Sequence, residues 1–251
     1  MPVAGYDSSK YEKPSVTVDL VIFTLQDDVL HLLVVKRGVK PFLGKWALPG
    51  GFLKMDESLE EAARRELEEE TGVRHVYLEQ LYTFGDVERD PRMRIITVAY
   101  TALVPRHEMH PRAATDAADV ALVPALEHPP LAFDHDQIVQ YALARFRNKI
   151  WHVPVAMRLL PETFTLTELQ TVYEAILGEP LDKRNFRKWV DAQGLVEPTH
   201  GVRSGGRHRP AALYRFSPSA AEEAQPVLPS SFAPRAKRRG DIESDRNRSA
   251  R

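Results

Sequence analysis

The amino-acid sequence predicts an α/β protein in which a larger mixed domain precedes a smaller, mainly helical one. Aliphatic and β-branched runs typical of buried strands alternate with helical segments over residues 15 to 150. After residue 152 the pattern changes to two capped helices followed by a short hairpin. With 251 residues and 43% hydrophobic content, the chain is large enough to bury two cores.

The composition excludes several classes of protein. The chain has no cysteine, so neither disulfides nor cysteine-ligated zinc can stabilise it. Its formal net charge of −1 argues against a polyanion binder that is basic overall, although a local basic patch remains compatible with this average. The first 14 residues lack the apolar core of a signal peptide, and no apolar run could span a bilayer. We therefore expect a soluble, cytoplasmic protein without a membrane partner.

The first domain begins with a hairpin. Residues 15–25 and 30–37 are two aliphatic runs around the polar turn Gln26-Asp27-Asp28. Residues 41–52 follow, where Pro49 and two glycines indicate a tight turn that approaches another group closely. Further strands are expected at 76–84, 94–104 and within 116–125. An amphipathic helix over 134–150 then closes the domain. Its expected capping box is Asp134 with Gln137, and its expected apolar residues are Ile138, Tyr141, Ala142 and Phe146.

Between these strands lies an acidic helix with an unusual distribution of charge. Asp56 is available as its cap, and the pattern predicts a helix from about Glu57 to Thr71 that ends at Gly72. At roughly 100° per residue, Glu66 and Glu70 fall within about 20° of the centre of the apolar stripe, and Glu69 flanks it. Burying unpaired carboxylates is costly, and these oxygen ligands suit Mg²⁺ or Mn²⁺. The helix therefore predicts a metal site.

The second domain has the outline of a winged helix. Thr165 with Glu168 caps one helix, Asp182 caps the next, and Gly194 ends it. The pattern then predicts a hairpin, with strands at 195–198 and 211–216 and a loop at 199–210. Beyond residue 217 the chain is rich in Pro, Ala and Ser and ends in a basic run, so we expect a disordered tail over 218–251.

A local basic cluster makes DNA a candidate partner of this domain. Residues 182 to 216 include eight basic and three acidic residues, which gives this segment a local net charge of +5. In the second helix the apolar residues occupy one face and cations at i, i+3 and i+4 share another, as in a helix that reads the major groove. The loop cations could reach a neighbouring backbone or the minor groove. The candidate DNA-binding residues are Lys183, Arg184, Arg187, Lys188, Arg203, Arg207 and Arg209.

The acidic segment matches every fixed position of the Nudix box, G-x5-E-x7-R-E-U-x-E-E-x-G-U, where U is a bulky aliphatic residue. The matching residues are Gly51, Glu57, Arg65, Glu66, Leu67, Glu69, Glu70, Gly72 and Val73. The segment thus resembles that of the Nudix family, which implies an α/β/α sandwich and metal-assisted hydrolysis of a nucleoside diphosphate linked to another group. By position, Glu66, Glu69 and Glu70 would bind the metal with a carbonyl at Gly50 or Gly51. Glu57 and Arg65 would form an ion pair that fixes the loop against the helix. Glu66 and Glu88 are both candidates for the general base.

A second resemblance covers residues 13 to 216. The runs TVDLVIFTL, PFLGKWALPGGF, LAFDHDQI and FTLTELQTVYEAILGEPLDKRNFRKWV are similar to those of Nudix-related transcriptional regulators of NAD metabolism. The resemblance implies a Nudix domain over 13–152, a winged helix over 153–217, and a sensor of ADP-ribose or a related nucleotide. In DNA-binding members of this family the Nudix box has often lost some of its fixed residues, whereas the Nudix box of this sequence is intact.

The expected function is therefore that of a homodimeric regulator that binds a double-stranded DNA operator, and its intact Nudix box favours hydrolysis of the effector. The alternative is a dedicated ADP-ribose pyrophosphatase whose C-terminal module serves only dimerisation.

Overall fold

The computed structural model describes residues 7, 10–73, 76–111, 117–152, 154–203 and 210–223. They form a helix–sheet–helix sandwich followed by a small domain of two longer helices and a hairpin, so the predicted fold class is confirmed. The sandwich comprises strands β1 (Ser15–Gln26), β2 (Val29–Arg37), β3 (Trp46–Ala47), β4 (Gly50–Phe52), β5 (Tyr77–Phe84), β6 (Ile95–Leu103) and β7 (Ala117–Pro124), with helices α1 (Leu59–Thr71) and α2 (His135–Lys149). Among the described residues, no helix combines the length and apolar character needed to cross a bilayer.

The sheet is mixed, and β1 lies at its centre. The main strand order is β3-β2-β1-β6-β5, with β1 and β6 parallel and the other pairs antiparallel. The second half of β1 pairs with β2 through the predicted hairpin, whose two turn residues, Asp27 and Asp28, both have positive φ. The first half of β1 pairs with β4, which places Gly50 opposite Asp19 and Gly51 opposite Val18. Strand β7 pairs with β2.

One helix covers each face of the sheet. Alternate residues of β1 point to opposite faces, so they pack against different helices. Val18, Leu20 and Ile22 pack with α1, whereas Val21 and Phe23 pack with α2. The second of these cores continues into the small domain. The two domains therefore share one apolar core.

The predicted cap of α1 is wrong, and the predicted capping box of α2 is absent. Helix α1 begins after Ser58, which forms a capping box with Glu61, rather than after Asp56. Glu57 remains in the loop because its carboxylate accepts hydrogen bonds from Arg65 and from the backbone N–H of Lys54. At α2, Asp134 is the N-cap residue, but its side chain makes no capping bond with the helix.

The apolar face of α2 also differs from the prediction. Tyr141 is 38% exposed, whereas Val139 and Leu143 are buried beside the expected Ile138 and Phe146. The predicted ends of two other helices hold, since Gly72 and Gly194 both adopt the left-handed conformation that glycine favours.

The small domain has the predicted order of elements. After a short 3₁₀ helix (Val155–Leu159) come α3 (Leu166–Leu177), α4 (Lys183–Gln193), β8 (Val196–Arg203), β9 (Ala211–Phe216) and α5 (Pro218–Glu223). The Thr165–Glu168 capping box and the Asp182 cap are both present.

Two boundaries in this domain were predicted wrongly. Strand β8 extends to Arg203, so part of the expected loop at 199–210 is strand paired with β9. Helix α5 occupies the first residues of the expected disordered tail, where Ser217 Oγ accepts a hydrogen bond from the Ala220 N–H. The remainder of that predicted tail, 224–251, lies outside the described residues.

Candidate functional site

Strand β4 and the inner face of α1 meet at the two glycines. A Cβ atom on Gly51 would lie 2.1 Å from Glu66 Oε1, and one on Gly50 would lie 2.2 Å from the carbonyl oxygen of Val18. A side chain at residue 50 would therefore meet backbone, and one at residue 51 would displace the Glu66 side chain. Pairing of β4 with β1 and the absence of a Cβ at residue 51 thus bring the Glu66 carboxylate directly against β4.

The three glutamates of the helix lie in different environments. Glu66 and Glu70 are 8% and 4% exposed, as their positions in the apolar stripe predicted. The side chain of Glu69 is 49% exposed at the edge of the stripe. Arg65 Nη1 lies 2.6 Å from Glu66 Oε1 and 3.7 Å from Glu69 Oε1. Two buried carboxylates thus share the face of α1 that points to the loop, with a cation at their side.

Glu57 and Arg65 form the expected ion pair between loop and helix. Arg65 Nη2 and Nε donate to the two Glu57 oxygens at 2.8 and 3.0 Å, and the Lys54 N–H donates at 2.8 Å. The hydrogen bonds from Arg65 and Lys54 lower the pKa of Glu57 to about 2. Glu57 therefore stays ionised at neutral pH, and the pair fixes the loop to the helix.

A buried polar network behind the glycines was not found by sequence reasoning. Arg89 donates to both oxygens of Asp134 at 2.8 and 2.7 Å and to Asp19 Oδ2 at 3.2 Å. His135 Nδ1 accepts the Leu48 N–H at 2.8 Å. The only signal in the sequence was Asp19, a charged residue inside an otherwise aliphatic strand.

This network joins three separate parts of the first domain. Asp19 is in β1, Arg89 is in the loop between β5 and β6, and Asp134 and His135 begin α2. Burial lowers the pKa of His135, while the nearby charges of Asp19 and Asp134 act in the opposite direction. The imidazole is therefore neutral at neutral pH, with Nδ1 as the acceptor, and the network holds the start of α2 at the site.

Two adjoining cavities open over the network. The inner cavity, about 120 Å³, is lined by Gly50, Gly51, Arg37, Arg92 and neighbouring residues. The outer one is an open cleft of about 600 Å³ whose lining includes Phe42, Glu88 and Gln137. Arg89 and Phe133 line both. Their combined size suits a small-molecule ligand, and Glu88 lies in the outer part of the site.

The residues at this site fit a divalent cation. In the part of the chain that the structure describes, no group of three or more acidic, His or Cys side chains converges as a complete metal cage. Mg²⁺ characteristically binds through one or two carboxylates and completes its shell with water and substrate phosphate oxygens. The two buried carboxylates of Glu66 and Glu70, the first of them against Gly51, provide that partial set of hard oxygen ligands.

The basic residues of α4 lie on its solvent side. Phe186 and Val190 are buried, and the Phe186 ring packs 5.2 Å from that of Tyr173 in α3. The four predicted cations of this helix, by contrast, are all exposed: Lys183, Arg184, Arg187 and Lys188. The helix thus has one face in the shared core and one cationic face open to a partner.

Of the three arginines predicted on the hairpin loop, the structure describes one, Arg203. Arg203 lies at the end of β8, forms an ion pair with Glu168 of the α3 capping box, and donates to the Thr163 carbonyl oxygen at 3.3 Å. Arg207 and Arg209 lie outside the described residues. Arg203 is therefore held against α3 in this structure.

Helix α2 connects the site to the small domain. Its first residues belong to the buried network, whereas near its other end Arg147 Nε donates to the Ile176 carbonyl oxygen of α3 at 3.0 Å. The Tyr173 hydroxyl of α3 donates to the Ile150 carbonyl oxygen at 3.2 Å, directly after α2. One rigid element thus contacts both the cleft and the domain with the basic helix.

Comparison with known families identifies both domains. Residues 13–142 match the NUDIX domain, and residues 156–216 match the NrtR DNA-binding winged helix domain. Over 219 residues the chain is 41% identical to an ADPR-responsive transcriptional repressor of Acinetobacter baylyi, covering 86% of this chain and 87% of the relative.

Two further similarities cover the whole fold and the first domain, respectively. The crystal structure of Shewanella oneidensis NrtR complexed with a 27mer DNA superposes with a TM-score of 0.72 at 40% identity, covering 83% of this chain and 96% of that one. An ADP-ribose pyrophosphatase of Methanocaldococcus jannaschii is 35% identical over 130 residues, which are 52% of this chain and 73% of the relative.

Proposed function

The chain belongs to the NrtR family of Nudix-related transcriptional regulators, and from this we propose that it binds DNA through its winged helix and ADP-ribose or a related nucleoside diphosphate through its Nudix domain. The observation that carries the proposal is the presence in one chain of a cleft beside buried carboxylates and of a helix with an exposed cationic face. The A. baylyi relative is named as a repressor responsive to ADPR, and the S. oneidensis protein was crystallised with DNA.

The cleft has the charges that a nucleoside diphosphate requires. Arg37 and Arg92 line the inner cavity beside Gly50 and Gly51, where they can balance diphosphate charge; in this structure Arg92 is paired with Asp90 at 2.7 Å. The outer cleft is open and large enough for the nucleoside and the second sugar. ADP-ribose fits these two cavities, because its diphosphate can occupy the inner cavity while its nucleoside and second ribose occupy the outer cleft.

We further propose that Glu66 and Glu70, with Glu69 at the edge, hold Mg²⁺ or Mn²⁺, with the carbonyl oxygen of Gly50 or Gly51 as a further ligand. Such a cation would polarise the diphosphate and lower the pKa of an attacking water. Arg65 and Glu57 act on these carboxylates indirectly, because their ion pair fixes the helix to the loop. Glu88, which lines the cleft, and Glu66 are the candidates for the base that removes the water proton.

The reaction proposed at this site is hydrolysis of ADP-ribose. Water attacks one phosphorus, the bridging P–O bond breaks, and AMP and ribose 5-phosphate leave. An intact set of glutamates supports this activity, as does the similarity to the M. jannaschii pyrophosphatase. A regulator with this activity would consume its own effector.

The experiment that tests hydrolysis compares two Glu→Gln variants of α1. Glu70 is buried on the inner face, whereas Glu68 is partly exposed on the outer side of the same helix. We expect Glu70→Gln to abolish Mg²⁺-dependent release of AMP from ADP-ribose and Glu68→Gln to retain it. If the wild-type protein shows no turnover, the enzymatic part of the proposal is wrong and the Nudix domain is only a sensor.

The DNA-binding part of the proposal depends on α4. Its exposed Lys183, Arg184, Arg187 and Lys188 would lie in or beside the major groove, where they can contact phosphates and base edges. Arg203 could join them only if it leaves Glu168. A homodimer would present two such helices to the two half-sites of an operator.

The alternative function is a dedicated ADP-ribose pyrophosphatase whose C-terminal module serves only dimerisation. The intact glutamate set favours it, whereas the exposed cations of α4 favour DNA binding. Hydrolysis without any DNA binding would support the alternative.

A further inference from the structure

Two phenylalanines at the cleft have an uncommon backbone conformation. Phe42 has φ = 62° and Phe133 has φ = 56°, in the left-handed region that bulky residues rarely occupy. They come from loops far apart in sequence, yet their rings meet edge to face with centroids 4.7 Å apart. Strained backbone of this kind persists where the surrounding structure enforces it, and it concentrates at ligand-binding sites. The pair is therefore a feature to be explained by function.

The two rings have different surroundings. Around Phe133, the guanidinium carbons of Arg37 and Arg92 lie 4.8 and 5.7 Å from the ring centroid, and the His135 ring lies 5.3 Å away. Phe42, by contrast, is 40% exposed and lines the open cleft. Phe133 is thus a support held by cations and imidazole, and Phe42 is the open aromatic surface.

Phe133 connects the two cavities. The inner cavity is lined by Arg37, Arg92 and the two glycines of β4, and Glu66 lies against Gly51. Both arginines contact the Phe133 ring, which lines the inner cavity and the outer cleft. The exposed ring of Phe42, packed on Phe133, lines the outer cleft. The aromatic pair therefore leads from the arginines of the inner cavity into the outer cleft.

From this arrangement we propose that Phe42, supported by Phe133, stacks on the heteroaromatic base of the bound nucleotide. The assignment rests on the proposed function, since it takes the ligand to be a nucleoside diphosphate. A base offers a flat π-face, and base–aromatic stacking tolerates different bases because each has such a face. Arg37 and Arg92 then face the diphosphate, and their cation–π contacts hold the aromatic support in place.

The test is calorimetric titration of the full-length protein in buffer with EDTA, which prevents turnover. The ligands are ADP-ribose and inorganic pyrophosphate, which has no base. We expect Phe42→Ala to weaken ADP-ribose binding by about tenfold or more and to leave pyrophosphate binding unchanged. Phe42→Trp should retain the affinity for ADP-ribose. The matched control is Leu43→Ala, since Leu43 is a neighbouring residue 59% exposed.

A second readout reports stacking directly. In Phe42→Trp, ADP-ribose should quench tryptophan fluorescence more than it does in the wild type, and pyrophosphate should not. Equal ADP-ribose affinity in the wild type and in Phe42→Ala would overturn the assignment, as would equal weakening of both ligands, which indicates a disturbed loop. If the wild type binds pyrophosphate but no ADP-ribose, the proposed function itself fails and the base subsite fails with it.

Discussion

Replacement of Gly51 by alanine tests the metal site at a residue that has no chemical group of its own. The added Cβ would lie 2.1 Å from Glu66 Oε1, whereas ordinary contact begins at 3.4 Å, so the two atoms overlap by about 1.3 Å. Gly51 does not have a left-handed backbone, and alanine is compatible with it. The Glu66 carboxylate, held by Arg65 at 2.6 Å, must therefore move.

The expected effect is large on catalysis and small on stability. A displacement of about 1 Å in a catalytic arrangement can cost about 100-fold in rate, so we expect a loss of that order in AMP release from ADP-ribose. Loss of glycine entropy in the unfolded chain stabilises by about 0.4–1 kcal/mol and opposes the cost of moving the side chain. We therefore expect the free energy of unfolding to change by about 1 kcal/mol or less.

The control is Gly85→Ala, where the nearest atom to the added Cβ is Ile96 Cγ1 at 3.8 Å. Steady-state kinetics with Mg²⁺ measure the rate, and electron paramagnetic resonance titration with Mn²⁺ measures metal binding even without turnover. If Gly51→Ala keeps both wild-type turnover and wild-type Mn²⁺ affinity, Glu66 does not hold the metal in the position that the structure indicates.

Two further predictions concern other parts of the molecule. Arg184→Ala with Arg187→Ala should weaken binding to the promoter of the protein's own operon and reduce the salt slope by about 2, as measured by fluorescence anisotropy; an unchanged slope would remove α4 as the DNA contact. Burial lowers the pKa of His135 below its unfolded value of about 6.5, so the unfolded state binds a proton that the native state rejects, and stability should be lost as pH falls from 7.5 to 5.5. His135→Asn, whose amide oxygen can still accept the Leu48 N–H, should reduce this pH dependence in urea unfolding, whereas the same change at exposed His107 should not.

The local features of this fold were predictable because they depend on neighbours in sequence. The left-handed ends at Gly72 and Gly194 follow from glycine chemistry, and the burial of Glu66 and Glu70 follows from helical rotation. Even the capping error at Asp56 was local, since Ser58 with Glu61 forms the more complete capping box.

The remaining features depend on contacts between distant residues. Arg89 withdraws Asp134 from helix capping across 45 residues, and it joins Asp19 across 70. The Phe42–Phe133 pair depends on two loops whose left-handed conformation has no signature in the residue type. Arg203 pairs with Glu168 across 35 residues, which a basic loop in the sequence does not indicate. These features could not be predicted because contacts between residues distant in sequence replace the local interactions that the sequence pattern indicates.

Because α2 contacts both the cleft and the domain with the basic helix, we propose that nucleotide binding and DNA binding are linked through this helix. By reciprocity, ADP-ribose must change the Kd for DNA by the same factor by which DNA changes the Kd for ADP-ribose. Arg147→Ala removes the side-chain hydrogen bond to the Ile176 carbonyl oxygen at the far end of α2, away from both ligands. The Arg147→Ala variant should reduce the factor by which ADP-ribose changes the Kd for DNA, while ADP-ribose alone and DNA alone bind with nearly wild-type affinity.

The most direct measurement is the Kd of the full-length protein for its promoter DNA, with and without saturating ADP-ribose, in buffer with EDTA. We predict that ADP-ribose raises the Kd for DNA by about fivefold or more. An identical Kd in both conditions, for a protein that binds each ligand alone, would show that the cleft and the basic helix act independently and would contradict the proposed regulation.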